Sequence, residues 1–259
     1  MPDTAKTAQH VKPYVHESAD TRALHFSIHE TQSRMRIDDP HALDLEYTRT
    51  MMGFVLFKPD PQDIAMIGLG GGSLAKFCHR HLKNSRIQVV EINPHVIALR
   101  DQFHVPPDGA RFRVVRGDGA RFVRERAARC DVLMVDGFDS DGQPSRLCSQ
   151  RFYDDCAEML QPDGIMVVNL HCGHARFEIF VDRIRRSFDD AVLVVDGADR
   201  GNSVVFAGKG HAFDHCRPGV VRRPRNLDKE AAEPLLGGFA QVMSALGEWR
   251  RRHLVIRTA

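Results

Sequence analysis

No CxxC pair occurs among the six cysteines, at 78, 130, 148, 156, 172 and 216. That excludes the usual zinc ribbons and dithiol redox centres. Their scatter predicts reduced thiols in a cytoplasm, and no bound metal. No apolar run approaches the roughly 20 residues a membrane helix needs. The opening MPDTAKTAQHVKPY has no apolar centre, so no signal peptide is expected. A net charge of only +2 gives no global pull toward nucleic acid or a membrane surface. There is no GxxxxGK[ST] loop of the NTPase type, no GxSxG elbow, no repeat and no low-complexity tract. What remains is a chain of 259 residues, 42% hydrophobic and 27% charged: one large domain, or one domain with appendages.

The organising stretch is DIAMIGLGGG, residues 63–72. An apolar run enters Gly68, Gly70, Gly71 and Gly72. A helical stretch over 73–82 follows, with Ser73 expected as its cap. A second apolar run then ends in Glu91. Strand, glycine turn, helix, strand and acid are the layout of a nucleotide-binding βαβ unit. The alternation continues. Strands are predicted over 111–116, 131–135, 165–169, 191–195 and 203–208, and helices over 94–103, 120–128, 149–160 and 174–188. The last two strands are joined too closely for a parallel crossover, so the final one should be antiparallel.

Upstream, 14–18, 23–28 and 33–37 read as short strands of a β hairpin region, and 42–57 as a helix. Downstream, 211–230 reads as a linker or surface strap. Residues 232–252 carry Leu235, Leu236, Phe239, Val242, Met243, Leu246 and Trp249 at helical spacing, for docking on the domain or on a second subunit. The expected fold is α/β: a Rossmann-like seven-stranded methyltransferase-type sheet with a small N-terminal β region and a C-terminal helical extension. The expected division is 1–57, 58–210 and 211–259.

Ligands of open parallel sheets bind at the carboxyl ends of the strands. Glu91, Asp118, Asp136 to Asp141, and Asn169 to His174 fall there. Glu91 can hold a ribose, and Asp118 the exocyclic amine of an adenine. Asp136 and Asp139 can face a cationic sulfonium or amine. Each acid could instead cap the next helix. Ser73 stands where a dinucleotide fingerprint has its third glycine, which favours an S-adenosyl ligand. Phe138 is the aromatic placed to lie over a substrate. His171, Cys172 and His174 read as pocket wall, and His79 and His81 as a solvated face.

GDGARFV (117–123) and DVLMVDGFDSDGQPSRLCSQRFYDDCAEMLQPDGIMVVN (131–169) resemble the polyamine aminopropyltransferases, the spermidine synthases. Asp136, Asp139, Gly142, Leu147, Phe152 and Tyr153 match that family's pattern without a gap. IGLGGGS and VVEIN resemble its glycine loop and ribose strand. Gln32 resembles its strand glutamine, and Tyr47 the tyrosine of its Y-H-E-M.

The resemblance implies polyamine biosynthesis: an aminopropyl group moves from decarboxylated S-adenosylmethionine to a small amine, with no permanently bound cofactor and a homodimeric enzyme. It gives Asp136 the amine's proton. Gly68, Gly70, Gly72, Glu91, Asp118, Gly119 and Gln32 hold the nucleoside, and Asp139, Tyr47 and Phe138 the substrate. Three departures stand out. Gly71 replaces the loop acid, Ser140 and Gln143 replace two prolines, and Thr48 and Arg49 replace histidine and glutamate. Methyl or other S-adenosyl alkyl transfer, and a catalytically inactive S-adenosyl-binding protein, therefore stay open.

Overall fold

The computed structural model describes residues 10–26, 31–125, 129–138, 142–197, 201–214, 216, 224 and 227–257. Three short strands, β1 (Tyr14–Glu17), β2 (Thr21–His25) and β3 (Thr31–Arg36), form an antiparallel sheet at the N-terminal end. The helix expected over 42–57 is shorter. It comprises α1 (Glu46–Met51) and a 3-10 turn, Met52–Leu56.

The alternating region follows as β4 (Asp63–Ile67), α2 (Ser73–His81), β5 (Arg86–Glu91), α3 (Pro94–Ala98), β6 (Phe112–Arg116), α4 (Gly119–Glu125) and β7 (Cys130–Val135). Then come α5 (Gln150–Met159), β8 (Leu160–His171), α6 (Phe177–Ser187), β9 (Val192–Asp196) and β10 (Asn202–Gly208). β8 runs through the Pro162–Gly164 turn that the sequence pattern placed before it. The chain ends in α7 (Lys229–Ala232), a 3-10 turn (Glu233–Leu235) and α8 (Leu236–Arg257).

The seven-stranded sheet has the order β6-β5-β4-β7-β8-β10-β9. Pairs from β6 to β8 are parallel, while β10 is antiparallel to both β8 and β9, as the short loop required. The chain leaves β4 in one direction toward β6 and in the other through β7. The carboxyl ends of β4 and β7 therefore flank the switch point, where the ligand crevice of such sheets lies.

Both faces of the sheet are buried, which is why its strands read as nearly continuous apolar runs. Side chains alternate between the faces. Ile64, Met66, Val132, Met134 and Phe206 pack with the N-terminal region, α2 and α8. Ala65, Ile67, Leu133, Val135 and Val205 pack with α4, α5 and α6. Each such fully buried Val, Leu, Ile, Met or Phe side chain contributes about 1.5–3 kcal/mol of transfer free energy.

α8 docks on its own chain. Leu235, Phe239, Val242 and Leu246 are buried in the first of these cores. A Cβ on Gly238 would lie 3.0 Å from the Thr50 Cα, so α8 lies close against α1. Ala212, Phe213 and Leu227 of the strap are also buried.

Two local expectations need correction. Ser73 does not cap α2: Gly72 holds the N-cap position in the left-handed region, φ 71°, with no side-chain cap bond. His79 and His81 are half-buried rather than solvated, with rings 5.4 Å from Phe112 and 4.6 Å from Phe77. Asn93, with Pro94 behind it, and Ser149 cap the helices that follow them; their side chains accept from His95 and Phe152 N–H.

Lys76 of α2 has no solvent exposure and donates from Nζ to the Phe103 carbonyl at 2.7 Å. Burial lowers its pKa to about 8. A lysine depressed in the folded state carries its full penalty below the folded pKa and sheds it as pH rises toward the unfolded value. This group's own contribution should therefore rise by on the order of 2–3 kcal/mol between about pH 8 and pH 10. The buried thiols of Cys78, Cys130, Cys148 and Cys156, raised by burial, pull the other way, so the contribution is read as the difference between the wild type and a variant lacking the amine. Lys76→Met should lose that contribution, so the stability difference between the two proteins should change across the window. Urea midpoints of both proteins across the window check it, and parallel curves would contradict it.

Candidate active site

Gly68 brings the two halves of the sheet together. Its N–H donates to the Val90 carbonyl at 2.9 Å, and the Asp136 N–H donates to the Ile67 carbonyl at 2.9 Å. Gly68 adopts φ +95°, and a Cβ there would stand 2.2 Å from the Asp136 carbonyl oxygen. Only a residue without a side chain lets the two strand ends approach this closely.

Asp136, half-buried at the end of β7, is the centre of the site. Its Oδ2 accepts the Tyr47 hydroxyl at 3.1 Å, and its Oδ1 accepts the Asn169 side-chain amide at 2.9 Å. Burial raises the Asp136 pKa, opposed by these two bonds. Burial and the neighbouring Asp136 carboxylate hold the Tyr47 phenol well above its ordinary value, so it remains a donor. Gln143 extends the network by donating from Nε2 to the Asn169 carbonyl at 3.0 Å. α1, β7, the loop after β7, and β8 thus converge on one carboxylate.

Glu91 is buried, and its two oxygens hold the surrounding backbone. Oε2 accepts Leu69 N–H from the glycine turn at 2.8 Å, and Oε1 accepts Asn93 N–H at 2.7 Å. Burial raises its pKa against these bonds. Asp118 caps α4 through Oδ1, which accepts from Ala120 and Arg121 N–H at 2.8 and 3.1 Å. Its Oδ2 pairs with Arg146 at 2.9 Å. Burial pushes Asp118 upward, but the Arg121 N–H, Arg146 and Ala120 N–H bonds outweigh it and hold the carboxyl below the usual value.

Among the glycines, Gly70 (φ +51°) and Gly72 (φ +71°) are in the left-handed region. Gly119 is required by packing, since a Cβ there would lie 2.4 Å from the Ile67 side chain.

At Gly71 a Cβ would meet Ser33 Oγ at 2.7 Å and the Phe103 ring at 2.9 Å. Phe103 is 1% exposed and its carbonyl is held by Lys76, so the ring cannot yield freely. Packing therefore keeps position 71 free of a side chain. Ser33, rather than its neighbour Gln32, is the β3 residue set against the glycine turn; by strand alternation half-buried Gln32 points to the opposite face. Phe138 is half-buried two residues beyond Asp136, and Asp139 lies outside the described residues. Arg49 does not enter the site: its guanidinium donates to the Leu43 and Asp44 carbonyls. Among the described residues, no three His, Cys, Asp or Glu side chains converge as metal ligands.

The sequence pattern singles out Asp136 and Tyr47 but gives no role to Asn169, Gln143 or Ser33. The available signals are an asparagine ending a central strand and a glutamine in place of a proline. Neither reveals its partner without the fold.

The spermine/spermidine synthase domain model matches residues 44–191. A polyamine aminopropyltransferase of Chromobacterium violaceum is 39% identical over 194 residues, 74% of each chain. A solved probable spermidine synthase from Corynebacterium glutamicum superposes with a TM-score of 0.69 at 18% identity, covering 92% of this chain and 89% of that one. A spermidine synthase solved in complex with the transition state analogue AdoDATO gives 0.61 at 21% identity, covering 90% and 87%. The structural likenesses speak for the fold, and the sequence match speaks for descent: the chain belongs to the spermine/spermidine synthase family.

Proposed function

We propose that the chain transfers an aminopropyl group from decarboxylated S-adenosylmethionine to a small amine. The carrying observation is Asp136, a half-buried carboxylate beside the glycine turn, oriented by Tyr47 and Asn169. An amine must be neutral to attack, yet in water it is protonated. A carboxylate of raised basicity both attracts the cation and takes its proton. The nitrogen lone pair then forms a C–N bond to the methylene beside the sulfonium. The C–S bond breaks, its electron pair neutralises the sulfur, and methylthioadenosine leaves.

In this reading Glu91 binds the ribose and Asp118 the adenine amine. Gly68, Gly70, Gly72 and Gly119 give the nucleoside backbone room, and Ser33, rather than the Gln32 the resemblance implies, is the β3 side chain on that side. Asp139 and Phe138 flank the amine. The relatives' common name, polyamine aminopropyltransferase, supports the reaction. The cytoplasmic setting and the homodimer rest on composition and resemblance. Phe239, Val242 and Leu246 of α8 supply no dimer contact in this reading, because they are buried within the chain. Sedimentation at twice 29.2 kDa is the expected result.

Tyr47→Phe gives a test of the base. The Tyr47 hydrogen bond lowers the Asp136 pKa. Removing it raises that pKa further, so the acid limb of kcat/KM for the amine should move to higher pH. An unmoved limb would assign that limb to another group.

One observation favours a second reading, alkyl transfer from full S-adenosylmethionine. With no acid at Gly71, nothing at that position repels the carboxylate of that donor. Its product would be S-adenosylhomocysteine when methyl moves, instead of methylthioadenosine.

A further inference from the structure

Two buried oxygens in the network that reaches Asp136 through Asn169 have no hydrogen-bond partner among the described residues: Asn169 Oδ1 and Gln143 Oε1. Both side chains are fixed by their other ends. Asn169, 3% exposed, donates to Asp136, and Gln143 donates to the Asn169 carbonyl. Gly142 precedes Gln143 with φ +101°, and Pro144 follows it, so the chain turns sharply and delivers the glutamine inward. A buried carbonyl oxygen left unpaired costs about 1–3 kcal/mol. Native proteins hold few such groups, and a pair of them linked to one half-buried carboxylate calls for a ligand that satisfies them.

We propose that Gln143 is a specificity-determining residue for the acceptor, its Oε1 accepting an N–H of the incoming amine. This rests on the aminopropyl-transfer reading of the site. The groups offered to a ligand are all acceptors, Asp136 with two amide oxygens, so the complementary ligand is rich in donors. A primary amine brings two N–H bonds when neutral and three when protonated. An alcohol brings one, and a carboxylate is repelled. The amide oxygens also accept N–H without adding a further negative charge. They orient the amine while holding its ammonium form less tightly, which leaves the neutral nucleophile more accessible. Proline, the residue the resemblance leads one to expect at position 143, has no side-chain oxygen and cannot supply this contact.

The test uses the full chain with methylthioadenosine bound and putrescine as the probe. Its affinity is measured by calorimetry, alongside KM and kcat with decarboxylated S-adenosylmethionine. Gln143→Leu should weaken putrescine binding and raise its KM by about tenfold. In the same protein kcat and methylthioadenosine affinity should stay within about threefold of wild type. The wild type should also prefer putrescine to its N,N-dimethyl derivative, which has fewer N–H bonds, and the leucine variant should narrow that preference.

An unchanged putrescine affinity in Gln143→Leu would overturn the proposal. So would an equal loss of methylthioadenosine affinity, which marks general damage, or a wild type that binds no diamine. The wild-type comparison of the two diamines stands even if the variant fails to fold, and absence of preference there overturns the proposal too. Diamine binding without turnover would instead sink the transfer reaction while leaving the Gln143 contact in place.

Discussion

Asp136→Asn is expected to lower aminopropyl transfer by about 10²- to 10⁴-fold, the usual worth of a positioned general base. Methylthioadenosine affinity should stay within about twofold, because the glycine turn and Glu91 form without the Asp136 side chain. The substitution keeps size and shape. It loses the negative charge that draws in the ammonium and the basicity that removes its proton. An asparagine oxygen can still accept from Tyr47 or Asn169, so the local fold should persist. Single-turnover rates of methylthioadenosine release, measured with binding calorimetry on the same samples, separate the two effects. A variant with near wild-type rates would move the base elsewhere. A variant that loses nucleoside affinity in step with rate would make Asp136 a structural residue.

Gly68→Ala is expected to cost on the order of 3 kcal/mol, combining a left-handed backbone with a forced contact. The Cβ would stand 2.2 Å from the Asp136 carbonyl oxygen and 2.8 Å from its carbonyl carbon. Neither atom belongs to a flexible side chain. Relief requires parting β4 from β7 at their carboxyl ends, where the proposed base is anchored. The thermal midpoint should fall by roughly 6–12 °C and activity should fall with it. Gly142→Ala is the control. It has φ +101° but open space around the added atom, so it should cost only about 1 kcal/mol. Equal melting of the two variants would show that the close approach of the strands is not what Gly68 provides.

Much of this architecture is readable in the residues. Apolar runs interrupted at Gly68, Glu91 and Asp136 announce strands whose ends face one crevice. The short link between β9 and β10 forces the antiparallel strand. Tyr47 and Asp136 lie 89 residues apart, so in the sequence only the family pattern links them. Other features escape local pattern. Residues 42–57 carry apolar residues close to helical spacing, yet packing divides them into a helix and a 3-10 turn. Ser73 has the chemistry of a cap, but the left-handed Gly72 takes that position. Gly71 could be read as a lost acid; only the packed chain reveals that Ser33 and Phe103 occupy its surroundings. Gln143 and Asn169 act through hydrogen bonds between separate loops and strands, which no spacing rule encodes.

The central claim is aminopropyl transfer, and product analysis tests it most directly. The purified protein is incubated with decarboxylated S-adenosylmethionine and putrescine, and separately with full S-adenosylmethionine and putrescine, and the products are resolved by mass spectrometry. The expected result is methylthioadenosine and the aminopropylated diamine in equal amounts from the decarboxylated donor. S-adenosylhomocysteine from the full donor, with no aminopropylated product from the decarboxylated one, would contradict it.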